Sequence, residues 1–339
     1  MPLFVKKYVL DCKIIMVYGR LSIIFRTFVR LLYLFIIKNK EKTMRLDGRR
    51  ESSNVDDRRG SGGFRLGGKG GLGIGAAIVI GLIVYCTTGD LNQAFQVAST
   101  TGDMTSVVTG QNGSNEEYQP TAEEQELASF AKKVLASTED VWTAEFQKMG
   151  KTYEPPTLVL FSGSVQSGCG GANASTGPFY CSADQCVYID LSFFTSMKSQ
   201  LGSDGDFAYA YVIAHEVGHH VQYLLGTLGK AHAQMSKLSQ SEANKISVQL
   251  ELQADNYAGV WAHHEQKMFG SLEDGDLEEA LGTAQVIGDD YLQKKAQGYV
   301  VPESFNHGTS QQRMKWFKRG FTTGDIAQGN TFAYSYDNL

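Results

Sequence analysis

"FAYAYVIAHEVGHHVQYLL", residues 207–225, holds three of the chain's seven histidines, two of them bracketing a glutamate as His215-Glu216-Val217-Gly218-His219. Apolar residues run before and after this pattern, as in a helix buried in a domain core. On a helix, residues four apart lie one turn apart on nearly one face, so His215 and His219 can present two imidazoles to a single ion. His220 points away from that face and reads as a packed or surface histidine. Glu216 sits beside the first imidazole and can reach a water at the ion without binding the ion itself. Burying such polar groups without a task would carry a heavy desolvation cost.

Catalytic zinc takes three protein ligands and keeps one position open. A third histidine on the same strand of sequence, as in metzincins, would need Gly at 222 and His at 225, where this chain has Gln222 and Leu225. A second helical pattern, "LELQADNYAGVWA" (250–262), carries Glu251 and Asp255 four apart among Leu252, Ala254, Tyr257, Ala258, Val260 and Trp261. Those neighbours argue for burial rather than a solvated face. Glu251 lies 32 residues beyond His219, room for a loop and a helix that folds back. Two His and one Glu form the ligand set of thermolysin-type zinc peptidases. Asp255, one turn on, can accept the far ring N–H of a ligand histidine and fix its tautomer. If Glu251 is not the third ligand, His232, His263 and His264 are next in line.

Composition sets the frame for this site. The chain has 339 residues, 42% hydrophobic and 20% charged, ordinary for a folded protein. Residues 1–70 carry 16 Lys/Arg against 6 Asp/Glu, a net of +10, so the remainder carries −15 of the overall −5. An acidic body excludes nucleic acid as its expected partner. The basic head ends at "GGLGIGAAIVIGLIVYCTTG" (70–89), twenty uncharged residues, long enough to cross a bilayer core. Its glycines would weaken a soluble helix but are common in membrane spans.

The expected organisation therefore has five parts. Residues 1–43 are an upstream extension, with the natural start at Met44. Residues 44–70 form a basic cytoplasmic tail, and 71–88 a single transmembrane helix. Residues 89–120, rich in Ser, Thr, Gly, Asn and Gln, form a flexible tether, and 121–339 the globular domain. Arg49, Arg50, Arg58, Arg59, Arg65 and Lys69 upstream of the span orient it by the positive-inside rule. The chain is thus expected in the inner (cytoplasmic) membrane, its body facing the periplasm or exterior. The Gly71/Gly75 spacing offers a helix-dimer contact, hence homo-oligomerisation through the span.

Within 121–150, Leu127, Phe130, Ala131, Val134, Leu135, Val141, Trp142, Phe146 and Met149 make one helical stripe behind a Thr121/Glu124 capping box. "TLVLF" (157–161) and "CVYIDL" (186–191) read as short strands. Helical patterns follow at 206–226, 240–268 and 276–297. The fold class is α+β, helix-rich with a small sheet.

The chain resembles the gluzincins, and within them a bacterial family of membrane-anchored neutral zinc metallopeptidases. The matching stretches are "MRLDGRRESSNVDDRRG" (44–60), "GPFYCSADQCVYIDLSFF" (177–194), "AYVIAHEVGHHVQ" (210–222), "ELQADNYAGVWAH" (251–263) and "PESFNHGTSQQRMKWFKRGF" (302–321). The resemblance implies a zincin-like metallopeptidase domain, one zinc per chain at His215, His219 and Glu251, and Glu216 as catalytic residue. Asn256 stands where many relatives have Cys, and Cys186 is an addition. Neither is a proposed ligand.

The chemistry expected is hydrolysis of a peptide or protein substrate, with Glu216 as general base toward the attacking water. His307, in the polar loop "SFNHGTSQQR", is the candidate donor to the developing oxyanion; the other reading is that it orders its own loop. Spacing permits a Cys169–Cys181 disulfide, worth about 3 kcal/mol in the chain-entropy model, although a Cys181–Cys186 pair stays open. A disulfide agrees with an oxidising compartment. The alternative function is a catalytically silent zincin-fold binding or chaperone-like module of the cell envelope.

Overall fold

The computed structural model describes residues 44–60, 118–203 and 205–339. The expected extension (1–43), the expected transmembrane helix (71–88) with its dimer contact, and nearly all of the tether lie outside these. Among the described residues no helix is long and apolar enough to cross a membrane.

Helix α1 (Ala122–Lys148) begins at the Thr121/Glu124 capping box, with both reciprocal hydrogen bonds made. It buries Ala131, Val134, Leu135, Val141, Trp142 and Phe146, most of the stripe read from the sequence. Strand β1 (Val55–Asp57), which precedes α1 in the chain, joins β2 (Thr157–Phe161), β5 (Phe179–Cys181) and β6 (Cys186–Asp190) in one sheet, with a separate hairpin of β3 (Ser164–Ser167) and β4 (Gly170–Asn173). Sheet order is β1-β2-β6-β5. β2 runs parallel to both β1 and β6, while β5 is antiparallel to β6, with Phe179 opposite Tyr188 and Cys181 opposite Cys186. Both faces of the central pair are covered, so Leu158, Val159, Leu160, Val187 and Ile189 are all buried.

The helices that follow carry the candidate site. They are α2 (Asp206–Leu224), α3 (Thr227–Met235), α4 (Gln240–Phe269), α5 (Asp276–Val286), α6 (Asp289–Gln297) and α7 (Ser310–Thr323). The single pattern expected over 276–297 breaks at Gly288, where an added Cβ would lie 2.4 Å from the Ser310 nitrogen. α4 is the hub: it packs on α2 across one face and on α7 across another. At the α4–α7 crossing the backbones touch. A Cβ on Gly259 would sit 2.1 Å from the Phe317 carbonyl oxygen, and one on Gly320 2.0 Å from that of Asn256. The core between α1, α2 and α4 is aromatic, with Phe207 stacked on Trp261 and Trp142 edge-on to Tyr257.

Residues 44–60 overturn one expectation. Read as a basic cytoplasmic tail, they belong to the domain. Strand β1 lies beside β2, with Val55 opposite Leu158 and Asp57 opposite Leu160. Arg49 pairs with buried Glu265 at 2.9 Å and Arg50 with Glu139 at 2.7 Å, while Arg58 and Arg59 pair with Asp56 and Asp57. The guanidinium of Arg49 also stacks 3.5 Å over the Phe269 ring. Four of the basic residues that oriented the positive-inside argument are thus engaged by acids of the domain itself, while Arg65 and Lys69 lie outside the described residues. A ladder of main-chain hydrogen bonds cannot form across a bilayer, so 44–60 and 121–339 stand on one side of any membrane.

Candidate metal centre and active site

The α2 helix presents His215 and His219 to α4, their rings 4.8 Å apart and perpendicular. Gly218 between them makes this approach possible: a Cβ there would lie 3.0 Å from the Ala254 carbonyl oxygen. Glu251 on α4 meets both rings, with Oε2 3.1 Å from His215 Nε2 and Oε1 3.4 Å from His219 Nε2. One ligand atom from each of His215, His219 and Glu251 falls within 4.8 Å of the others. Two imidazole nitrogens and a carboxylate in this disposition fit a tetrahedral zinc donor set that keeps one position open.

The far nitrogens of both rings are held. His215 Nδ1 lies 2.8 Å from Asp255 Oδ1, and His219 Nδ1 2.9 Å from Gln222 Oε1. These acceptors make each Nδ1 the protonated nitrogen and leave each Nε2 lone pair for an ion. Gln222 is fixed in turn, its amide donating to the Leu250 carbonyl at 2.7 Å and to Gln253.

Asp255 is fully buried and would be costly alone. Burial works against its charge, but Arg313, His215 and the hydrogen bonds they donate outweigh it, holding the carboxyl far below its ordinary range. Arg313 Nε donates to Oδ2 and Nη2 to Oδ1, each at 2.9 Å, and the Tyr211 hydroxyl donates to Oδ1 at 2.6 Å. Glu251 follows the same pattern: burial opposes ionisation, while His219, His307 and His215 keep it well below the usual carboxylate range. In Glu216 burial prevails over the nearby histidines and pushes the carboxyl up. A raised carboxyl suits a group that must take and return a proton.

These groups open into a cleft of about 430 Å³, lined by His215, Glu216, His219, Glu251, His307 and Arg313 and by apolar side chains including Phe179, Phe193, Val212, Leu250, Ile287 and Leu292. His307 therefore faces the cleft. Its loop is organised by Asp289, whose Oδ2 accepts from the main-chain nitrogens of Asn306, His307 and Gly308 at 2.8–2.9 Å. Asp289 Oδ1 lies 3.4 Å from His307 Nδ1. The structure thus gives His307 both features weighed in the sequence, a cleft position and an ordered loop.

Other histidines stand elsewhere. His220 is buried between the Tyr180 hydroxyl and the Glu154 carbonyl. His263 and His264 bond the Phe321 and Gly324 carbonyls, away from the cleft, and His232 lines its rim. Cys169 and Cys181 are joined by a disulfide with Cα atoms 5.8 Å apart, and Cys186 is free. The residues missed in the sequence are Arg313, Tyr211, Gln222 and Asp289.

The sequence profile of the family described as "Putative neutral zinc metallopeptidase" matches residues 44–332. The chain belongs to that family. Escherichia coli K12 protein YpfJ, described as uncharacterized, is 53% identical over 294 residues, 86% of this chain and all of that one. Mycobacterium tuberculosis H37Rv protein Rv2575, also described as uncharacterized, is 44% identical over 191 residues, 53% of this chain and 64% of that one. No solved structure matches the chain. Membership of a zinc peptidase family implies zinc and a peptide or protein substrate.

Proposed function

We propose that this protein is a zinc-dependent endopeptidase whose single zinc is held by His215, His219 and Glu251. The observation that carries the reading is the meeting of those three donors beside Glu216 in one cleft. Zinc, when bound, supplies Lewis acidity toward a peptide carbonyl and toward water. The chain's residues do the rest. Glu216, its carboxyl raised by burial, takes a proton from the attacking water and returns it to the departing amine. His307 donates to the oxygen on which charge develops. Asp255, Arg313 and Gln222 hold the two imidazoles in place. The apolar walls at Phe193, Val212 and Leu250 suit a hydrophobic side chain of the substrate.

A catalytically silent zincin-fold module finds no observation in its favour, since His215, Glu216, His219 and Glu251 are all present and convergent. The Cys169–Cys181 disulfide supports a place outside the cytoplasm. In this reading residues 44–60 share the face occupied by the domain, so neither the cytoplasmic tail nor a single crossing at 71–88 is retained.

The test is zinc content by elemental analysis beside hydrolysis of a quenched peptide library. Glu216→Gln should keep zinc while turnover falls by about 10²- to 10⁴-fold. Glu251→Ala should lose both. A Glu251→Ala protein with full zinc and activity would overturn the ligand assignment, and a zinc-loaded wild type that cleaves nothing would overturn the peptidase.

A further inference from the structure

Eight large apolar side chains stand exposed among the described residues, and four of them belong to two loops at one end of α4. Leu238 is 42% exposed, and Tyr299, Val300 and Val301 are 62%, 41% and 37% exposed. Leu238 lies in the turn between α3 and α4, beside Ser239, which caps α4 by accepting from the Glu242 nitrogen. The loop 298–304 reaches the same end of α4, where Asn244 Nδ2 donates to the Glu303 carbonyl at 2.8 Å. That loop is fixed: the Val301 nitrogen donates to Gln293 Oε1 at 2.8 Å, and the Val301 carbonyl accepts from the Ser304 nitrogen at 3.0 Å. The exposure of its apolar side chains is therefore built into the fold. Met235, Gln240 and Asn244, from the same two elements, line the cleft, so the loops form a rim at one of its ends.

The setting of this rim is basic. Residues 226–239, which hold α3 and Leu238, carry Lys230 and Lys237 and no Asp or Glu. Residues 291–302 carry Lys294 and Lys295, again without an acid. Two acid-free segments run against the trend of a body, residues 71–339, whose net charge is −15. Lys294 and Lys295 also complement the C-terminal end of α6, but the helix dipole accounts for neither Lys237 nor the exposed valines. Apolar tips ringed by tyrosine and lysine match the headgroup zone of an anionic bilayer. Valine and leucine enter the acyl boundary, tyrosine sits at headgroup level, and lysine reaches the lipid phosphates. Each lysine held near such a surface strengthens binding about fivefold. A protein partner would instead need roughly 20–30 residues a side, of which two loop tips supply few.

We infer that Leu238, Tyr299, Val300 and Val301, with Lys237, Lys294 and Lys295, seat the domain on an anionic lipid bilayer and bring one end of the cleft to the headgroups. Contact is by loop tips resting in the surface, and it requires no segment to cross. No readout below concerns turnover, so failure of the peptidase reading would leave these outcomes unchanged.

The test places an environment-sensitive fluorophore at Val300→Cys in the full chain, with Cys12, Cys86 and Cys186 replaced by Ser. Mixed with vesicles of phosphatidylglycerol and phosphatidylcholine, the probe should shift to the blue and be quenched by nitroxides carried on lipid headgroups. Vesicles of phosphatidylcholine alone should do neither. A probe at Met268→Cys is the reference. Met268 is exposed at the far end of α4, and a 30-residue helix is about 45 Å long, so that probe should stay unquenched. Replacing Lys237, Lys294 and Lys295 together by Gln should abolish the response at position 300. If the labelled chains do not fold, hydrogen exchange in the wild type carries the test: anionic vesicles should slow exchange at 236–239 and 298–304 but not at 266–269. A probe unquenched at position 300, one quenched equally at position 268, or unchanged exchange in both loops overturns the inference. So does a response that survives the lysine replacements or is matched on phosphatidylcholine alone. A shift that grows with protein concentration in the absence of lipid also overturns it, marking a second copy of the chain as the partner.

Discussion

The guanidinium of Arg313 and the carboxylate of Asp255 face each other through two hydrogen bonds of 2.9 Å, with both groups buried. The pair links α7 to α4, and its far side holds His215 at 2.8 Å. Arg313 thereby sets the charge and direction of the group that orients a candidate ligand.

Removing that guanidinium should therefore act on the metal. Arg313→Gln is expected to lower zinc affinity by roughly 10- to 100-fold, measured by competition with a chromophoric chelator. Arg313→Lys should also weaken binding, because an ammonium cannot reproduce the planar fork. Unchanged affinity in a folded variant would mean that Asp255 orients His215 unaided. The Gln variant should also melt earlier, since breaking a buried pair costs about 3–5 kcal/mol.

His307 is expected to act on turnover rather than on metal. His307→Ala should lower kcat by about 10²- to 10³-fold, as for loss of an oxyanion donor, with zinc retained. Asp289→Asn should lower kcat less while loosening the 306–308 loop, visible as faster hydrogen exchange there. Full kcat in His307→Ala would confine His307 to a structural part.

His220 should make stability depend on pH. Burial lowers its pKa from 6.5 to about 4, against the opposing bond to the Glu154 carbonyl. The unfolded chain therefore takes up this proton at a higher pH than the fold does. Stability is fully present above about 6.5 and declines as pH falls toward 4, by about 3 kcal/mol. Chelated His220→Asn should show a flatter denaturant midpoint between pH 7 and 4 than chelated wild type. Parallel curves would remove His220 as the cause.

The α4–α7 crossing allows no added methyl group. Gly320→Ala must separate the helices or bend one, since the new Cβ would stand 2.0 Å from the Asn256 oxygen. The expected loss is about 1–3 kcal/mol in urea denaturation, with reduced zinc affinity because α7 carries Arg313. An unmoved midpoint would mean that the crossing relaxes freely.

What the sequence disclosed is what periodicity and spacing can carry. His215, His219, Glu251 and Asp255 were legible because each pair lies four apart on an apolar helical pattern, and the structure sets both helices within a residue or two of the expected bounds. The Thr121/Glu124 cap was legible for the same reason. Arg313 was not: in "QQRMKWFKRGF" it resembles Lys315, Lys318 and Arg319, and only packing shows that it alone is buried among them. Strand β1 spans three residues, two of them acidic, too short for alternation to register. The start of α7 could have been found, since Thr309 and Gln312 make a capping box. Tyr211 and Gln222 read as ordinary members of an apolar helix because their partners lie on α4.

Gly60 and Tyr118, which flank residues 61–117 in sequence, touch: a Cβ on Gly60 would lie 3.0 Å from the Tyr118 ring. The two ends of the passage 61–117 thus share one doorway. Shortening that passage roughly tenfold should lower the entropic cost of closing it by about 2 kcal/mol. The domain would then be expressed as a free-standing protein with its β1–β2 pairing intact, and location and catalysis could be engineered apart.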